Sequence, residues 1–157
     1  MLKIYLLWPG KTKEPWLRQG IEYYIKRLKN YYQVNVIETR AAKQKNAQKE
    51  QLIKKEEAYI TDAIKKLKGQ LIILDIKGAE LNSTELAKFI EAKQNYGVTS
   101  LIFVIGGAYG LSENFLKKAD FKLSLSKLTF THEMSRLILI EQLYRAASII
   151  KGSPYHH

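Results

Sequence analysis

Three segments in the second half of the chain combine residue types that can hold a ligand at the end of a buried strand. They are Asp75-Ile76-Lys77-Gly78, Gly106-Gly107-Ala108-Tyr109-Gly110 and Ser126-Lys127-Leu128-Thr129-Phe130-Thr131. Glycine after a buried strand lets a ligand approach the backbone, because no Cβ intrudes. Gly106-Gly107 would serve a tight strand-to-helix turn equally well. The loop has neither the Lys-Ser/Thr pair of a Walker loop nor the spacing G-x-G-x-x-G, so a phosphate cradle is poorly supported. In the third segment apolar Leu128 and Phe130 alternate with Ser126 and Thr129. That composition suits a flat apolar ligand such as adenine, held by main-chain hydrogen bonds and covered by side chains.

His132, Glu133 and Arg136 follow directly, in the first turns of the last helix. The histidine can act as general base, orient a substrate, or simply bond locally at a helix start. Glu141 and Arg145, four apart, are spaced for an intrahelical ion pair. A metal site is not expected, because the three histidines, two of them adjacent at the end, offer no ligand spacing. The absence of cysteine excludes disulfides, thiolate zinc sites, iron–sulfur clusters and a cysteine nucleophile.

The elements that must position these groups follow from hydrophobic periodicity. Leu2–Trp8 reads as a buried strand closed by Pro9-Gly10. From Glu14 to Tyr32, apolar residues at three- and four-residue steps give an amphipathic helix. Val34–Glu38 is a second strand, Ala41–Gln48 a polar, mobile loop, and Asn46 a cap for a helix reaching Lys68. Leu71–Leu74 is a strand buried on both faces. Asn82 with Glu85 forms a capping pattern for a helix to Asn95. Leu101–Ile105 is another apolar strand, Ser112 caps a short helix to about Ala119, and Phe121–Leu125 alternates as a last strand. Thr131 caps a helix to Ile150. Ile138-Leu139-Ile140 makes that helix apolar around most of its circumference, so burial against the sheet and against another subunit is expected. The alternation implies an α/β fold, a mostly parallel sheet with helices on both faces, whose strand ends form the ligand crevice.

The chain of 157 residues carries a formal charge of +11. Residues 1–69 hold 16 basic and 7 acidic side chains, a net +9, against 10 and 8, a net +2, in residues 70–157. So uneven a field favours a polyanion, since each phosphate neutralised releases condensed counterions. Lys11, Lys13, Arg40, Lys43, Lys45 and Lys49 fall in loops or helix starts, where they can track a backbone. Ten tyrosines and two tryptophans could offer stacking surfaces for unpaired bases. No apolar stretch approaches the roughly 20 residues that span a bilayer, and the amino end lacks the pattern of an export signal. A soluble, cytoplasmic, RNA-directed protein is the expectation.

Four linked motifs carry a family resemblance. They are Ile105-Gly106-Gly107-Ala108-Tyr109-Gly110-Leu111-Ser112, Leu123–His132, Glu141-Gln142-Leu143-Tyr144-Arg145-Ala146, and the ending Pro154-Tyr155-His156. In order, spacing and total length the chain resembles the ribosomal RNA large subunit pseudouridine-N3 methyltransferases of the RlmH type, within the SPOUT class. The resemblance implies one domain over residues 1–157, with a basic RNA-facing half (1–69) and a half holding cofactor and knot (70–157). It implies S-adenosylmethionine as methyl donor, a homodimer, and a carboxyl-terminal segment threaded into a deep trefoil knot, which connectivity rules alone would disfavour. Carried over by position, cofactor contacts fall on Leu74, Gly106, Leu125, Ser126, Lys127, Leu128, Thr129 and Phe130. The implied substrate is a pseudouridine in 23S rRNA, methylated at N3 on the assembled ribosome.

A sulfonium donor already makes the methyl carbon electrophilic, so no metal or covalent intermediate is required. What remains is to align N3 and to help remove its proton. His132 and Arg136 are expected to orient the base or its phosphate, and Tyr155 and His156 to fold back over the cofactor site. The proton acceptor could be a side chain or a water. A non-catalytic ribosome-associated RNA-binding factor is the competing reading, and a nucleotide hydrolase lacks an evident lysine or metal-binding carboxylate.

Overall fold

The computed structural model describes residues 1–43 and 45–157. Strands β1 (Lys3–Pro9), β2 (Gln33–Thr39), β3 (Gln70–Glu80), β4 (Ser100–Val104) and β5 (Phe121–Ser124) form a parallel sheet in the order β2-β1-β4-β3-β5. Helices α1 (Pro15–Leu28), α2 (Lys49–Lys65), α3 (Ser83–Asn95), α4 (Glu113–Leu116) and α5 (His132–Lys151) connect or follow them. The expected α/β class and parallel sheet are therefore observed.

Side chains alternate across each strand, so one residue faces each helical layer. Ile4, Leu6, Ile72 and Phe103 pack with Ile21, Leu28, Leu86, Ile90, Leu139 and Leu143, from α1, α3 and α5. Leu7, Ile73, Ile102 and Val104 pack on the other face with Ile60, Phe115 and Leu116, from α2 and α4. All of β4 is buried. That burial explains its unbroken apolar sequence, because helices cover both of its faces.

Helix α5 lies between α1 and α3 on the sheet. Leu139 and Ile140 are buried within the chain, and Ile138 is half-buried outside both core clusters. Thr131 accepts a hydrogen bond from the Met134 amide at its start, and Gly152 ends it in the left-handed region at φ 73°.

Several boundaries differ from the sequence reading. Helix α1 stops at Leu28, and Tyr32 is buried from a turn beyond it. Asn46 does not cap α2. It adopts φ 63°, and Gln48 precedes the helix instead. Of the expected loop at residues 41–48, Gln44 lies outside the described residues. Strand β3 continues past Leu74 to Glu80, because β5 pairs with it twice, Leu123 meeting both Leu74 and Ala79 across a register shift. Residues 75–78 bulge out between these pairings. Gly78 is required there, since a Cβ would stand 2.7 Å from the Lys122 carbonyl oxygen.

Candidate active site

The carboxyl ends of β3, β4 and β5 converge on a crevice of about 230 Å³. Leu74, Gly106, Leu125, Ser126, Leu128, Thr129 and Phe130, all expected at a cofactor site, line it together; Lys127 is exposed and lies off its wall. The 124–128 turn is self-bonded: the Ser124 hydroxyl donates to the Ser126 carbonyl at 3.1 Å, and the Leu128 amide to the Ser126 hydroxyl at 3.0 Å. Leu128 stands at the rim, 72% exposed. Asp75, Ile76, Ile105 and Gly107 also line the crevice. The sequence had marked the segments holding Asp75 and Gly107 without assigning them ligand contacts. Asp75 is the one carboxylate on this wall among the described residues. An apolar slot with a single negative charge fits a flat aromatic ring joined to a cationic group.

A second cavity of about 570 Å³ opens beside it, and Gly107, Ala108 and His132 belong to both walls. It lies at the ends of β1, β2 and β4, and Lys11, Lys13, Arg40 and Lys43 line it. The first turns of α5 fix the loop that carries two of these lysines. Arg136 is 1% exposed and donates to the Pro9 carbonyl at 2.8 Å and to the Thr12 hydroxyl at 2.9 Å. Its guanidinium carbon lies 5.0 Å from the Trp8 ring centroid. Glu133 accepts from the backbone amides of Lys13, at 2.9 Å, and Glu14. Arg136 was expected to orient substrate directly. In the structure its two terminal nitrogens bond Pro9 and Thr12, which ties it to the loop that carries Lys11 and Lys13.

Burial pushes the Arg136 pKa down to about 10, against the pull of Glu133, Glu38 and Glu56, so it stays charged at neutral pH. Burial is also the main cause that lowers the pKa of His132, aided by Arg136 and Lys13 and opposed by Glu133. The shared wall thus disfavours the protonated imidazole, whose Nε2 lies 3.9 Å from the Glu133 carboxylate.

Two carboxylates of α2, neither marked by any local sequence signal, brace the loops from the other side. Glu57 accepts from the Ser112 amide at 2.6 Å and its hydroxyl at 2.8 Å, fixing the end of the Gly106–Gly110 loop. Glu56 accepts from the Ala42 amide at 3.1 Å. A Cβ on Gly107 would stand 2.6 Å from Glu56 Oε1, so glycine is what lets the two approach. Burial raises the Glu56 pKa, and the Ala42 amide and Arg136 counter it.

Tyr155 and His156 do not reach the crevice of their own chain. The Tyr155 hydroxyl donates to Glu141 at 3.0 Å and lies 3.2 Å from the Tyr24 hydroxyl. The His156 Nδ1 is 3.2 Å from Arg145. Glu141 and Arg145 form the expected ion pair at 2.6 Å. The four expected catalytic residues thus fall into two groups: His132 and Arg136 at one end of α5, Tyr155 and His156 against its other half. Among the described residues no three His, Cys, Asp or Glu side chains cluster to hold a metal ion, and no helix is long and apolar enough to cross a membrane.

Comparison with known proteins adds a family context. A family profile described as "Predicted SPOUT methyltransferase" matches residues 2–156. A protein of Geobacter metallireducens named Ribosomal RNA large subunit methyltransferase H is 42% identical over 156 residues, 99% of each chain. A protein of the same name from Thermodesulfovibrio yellowstonii is 45% identical over 157 residues, 100% of each chain. One from Cytophaga hutchinsonii is 44% identical over 156 residues, covering 99% of this chain and 100% of that one. Among solved structures, a probable methylase family protein from Haemophilus influenzae superposes with a TM-score of 0.55 over 99% of this chain and 70% of that one, at 12% identity, a likeness of fold.

The Arg136 anchor makes a direct prediction. Arg136→Met keeps apolar bulk but strands the Pro9 carbonyl and the Thr12 hydroxyl in a buried setting. The cost expected in chemical denaturation is about 2–4 kcal/mol, with faster amide exchange at Lys13 than in β4. A loss under about 0.5 kcal/mol with unchanged exchange would show that the guanidinium does not hold the loop.

Proposed function

The chain belongs to the SPOUT methyltransferase family and is an enzyme. From that premise we propose that it transfers a methyl group from S-adenosylmethionine to N3 of a pseudouridine in 23S rRNA, on the assembled ribosome in the cytoplasm. One observation carries the proposal: the ends of β3, β4 and β5 meet in an apolar crevice with the Asp75 carboxylate and the His132 imidazole on its wall. The methyl-transfer family and the names of the relatives supply the reaction class and the rRNA substrate. We take the whole chain to act as one SPOUT methyltransferase domain with the knotted carboxyl-terminal segment of that family.

The donor would lie with its adenine between Leu74, Leu125 and Phe130 and its cationic part toward Asp75. When bound, it supplies a methyl group already activated by a sulfonium. The chain's own residues then have three tasks. The 124–128 turn, stiffened by its two serine bonds, holds the apolar slot in shape. His132, uncharged, accepts a hydrogen bond from the imide edge of the base and orients it. Arg136 and Glu133 keep the Lys11–Lys13 loop in place beside it.

Tyr155 and His156 enter through a homodimer. Along α5, Arg145 lies about 20 Å beyond His132, so one chain's tail cannot close its own crevice while resting on Arg145. In a second copy the same tail would complete the pocket. Trp16 and Tyr23 on α1, 58% and 50% exposed, offer aromatic surface for such contact.

The deciding experiment offers unmodified rRNA as naked RNA, as subunits and as assembled ribosomes, with labelled S-adenosylmethionine. Label mapped to a pseudouridine of assembled ribosomes is expected. Label on another RNA would discard the substrate, donor binding without any transfer would remove all three RNA forms as the target, and neither transfer nor donor binding would favour a non-catalytic RNA-binding factor. The transfer rate is also expected to fall on acidification below the ordinary imidazole value of about 6.5, as His132 gains a proton. The acid limb should be shifted downward because its pKa is lowered. His132→Gln should be slower at neutral pH and lack that limb; an unchanged profile would remove His132 from this role. His156→Ala should cut methylation far more than donor affinity, and equal losses in both would count against the tail.

A further inference from the structure

We infer that the larger cavity, at the ends of β1, β2 and β4, takes one unpaired nucleotide of the RNA substrate. Its phosphate would lie among Lys11, Lys13, Arg40 and Lys43, with its base against Tyr109. The inference rests on the proposed function for its RNA partner, and it names the part of this chain that receives it.

Charge is the first argument. Lysines 11 and 13 with Arg40, Lys43 and the buried Arg136 face two carboxylates in this cavity, an excess of three positive charges. Both carboxylates are already engaged, Glu133 by the Lys13 and Glu14 amides and Glu56 by the Ala42 amide. The cations therefore remain to be answered by an anion from outside.

Rigidity is the second. Lysines on a solvated helix face are ordinary surface, but Lys11 and Lys13 sit on a loop pinned at Pro9, Thr12, Lys13 and Glu14 by α5. A backbone already pinned leaves only the lysine side chains to be ordered on meeting a phosphate.

Tyr109 is the third. It lines this cavity, is 54% exposed, and has the Lys49 ammonium 6.0 Å from its ring centroid. Stacking of a base on an exposed aromatic is how single strands are held without duplex geometry. The cavity volume of about 570 Å³ is within the usual range for small-molecule sites, roughly 300–1,000 Å³. A base there would meet the crevice only at Gly107, Ala108 and His132, the residues shared by the two walls. Two cavities touching at so short a boundary suit two reactants that must meet at one atom pair.

The test uses a fluorescently labelled, unpaired ten-residue oligoribonucleotide containing pseudouridine, with anisotropy read across a salt series. Arg40→Ala/Lys43→Ala should weaken binding and flatten the salt slope by about 1.4, two phosphate contacts at about 0.7 each. Tyr109→Ala should weaken binding about tenfold with the slope unchanged, and Tyr109→Phe should restore it. Lys88→Ala/Lys93→Ala, on α3 and away from the walls of this cavity, should change little. Wild-type affinity and slope in the cavity variants, equal losses in the α3 variant, or no binding by the wild type at low salt would each overturn the assignment. Calorimetry with S-adenosylmethionine runs alongside. Failure to bind the donor with the oligonucleotide results intact would sink the proposed reaction and leave the nucleotide site standing.

Discussion

A guanidinium buried at the carboxyl end of β1 is the constraint on which the site depends. Burying a cation in a protein interior is costly unless hydrogen bonds and neighbouring charges replace its water. Arg136 has two strong acceptors in Pro9 and Thr12, the Trp8 face, and Glu133, Glu38 and Glu56 close enough to favour its charge. Among the described residues its Nε has no hydrogen-bond partner, so the compensation is incomplete there. The depressed pKa expresses the same balance, because the protein favours the charged form less than water does. What the arrangement secures is a fixed relation between the first strand and the last helix, 127 positions apart in sequence. The loop leaving β1 cannot drift from the first turn of α5, which His132 opens.

Sheet order turns that relation into two adjoining cavities. Because β1 and β4 are neighbours, Pro9–Lys13 and Gly106–Gly110 emerge side by side. Because β3 lies between β4 and β5, the 75–78 bulge and the 125–130 loop close the other side of Gly106. The uneven charge of the chain is divided along the same line. Loops from residues 1–69 supply the free cations of the larger cavity, and the smaller crevice is built wholly from residues 74–135. A slot whose charged lining is a single carboxylate favours an apolar ring joined to a cation, whereas a basic one favours phosphate. Gly107 stands between them, and Glu56 presses against it at a distance only glycine permits.

Much of this was legible in the residues. Period-two and period-3.6 patterns carry strand and helix type directly. The rule that ligands lie at strand carboxyl ends then selects the loops at Asp75, Gly106 and Ser126. What stayed hidden depends on partners far along the chain. Nothing local in Ser135-Arg136-Leu137 indicates that the arginine points inward to Pro9. Glu56 and Glu57 sit in a lysine- and glutamate-rich helix that reads as a solvated face, yet both turn toward loops from elsewhere. The extension of β3 through Lys77-Gly78-Ala79-Glu80 is polar, and it is a strand only because β5 pairs with it a second time. Asn46 has the chemistry of a cap, but the same short side chain also tolerates the left-handed backbone it adopts.

The two ends of α5 pose a problem that geometry alone can frame. His132 opens toward the crevice, whereas Glu141 and Arg145 gather Tyr155 and His156 nearer the other end. Burial and hydrogen bonds to Tyr24 and Glu141 hold the Tyr155 phenol well above its ordinary pKa, so it remains a neutral donor. Its ring packs on Tyr144, 4.7 Å between centroids, under the Arg145 guanidinium. These contacts order a tail that would otherwise fray. One small base cannot touch groups about 20 Å apart along one helix. Either the tail serves only to lock α5, or it serves a crevice belonging to another copy of the chain. The second alternative gives the ordered polar cluster a ligand to meet, and it is the reason the homodimer belongs in the proposal.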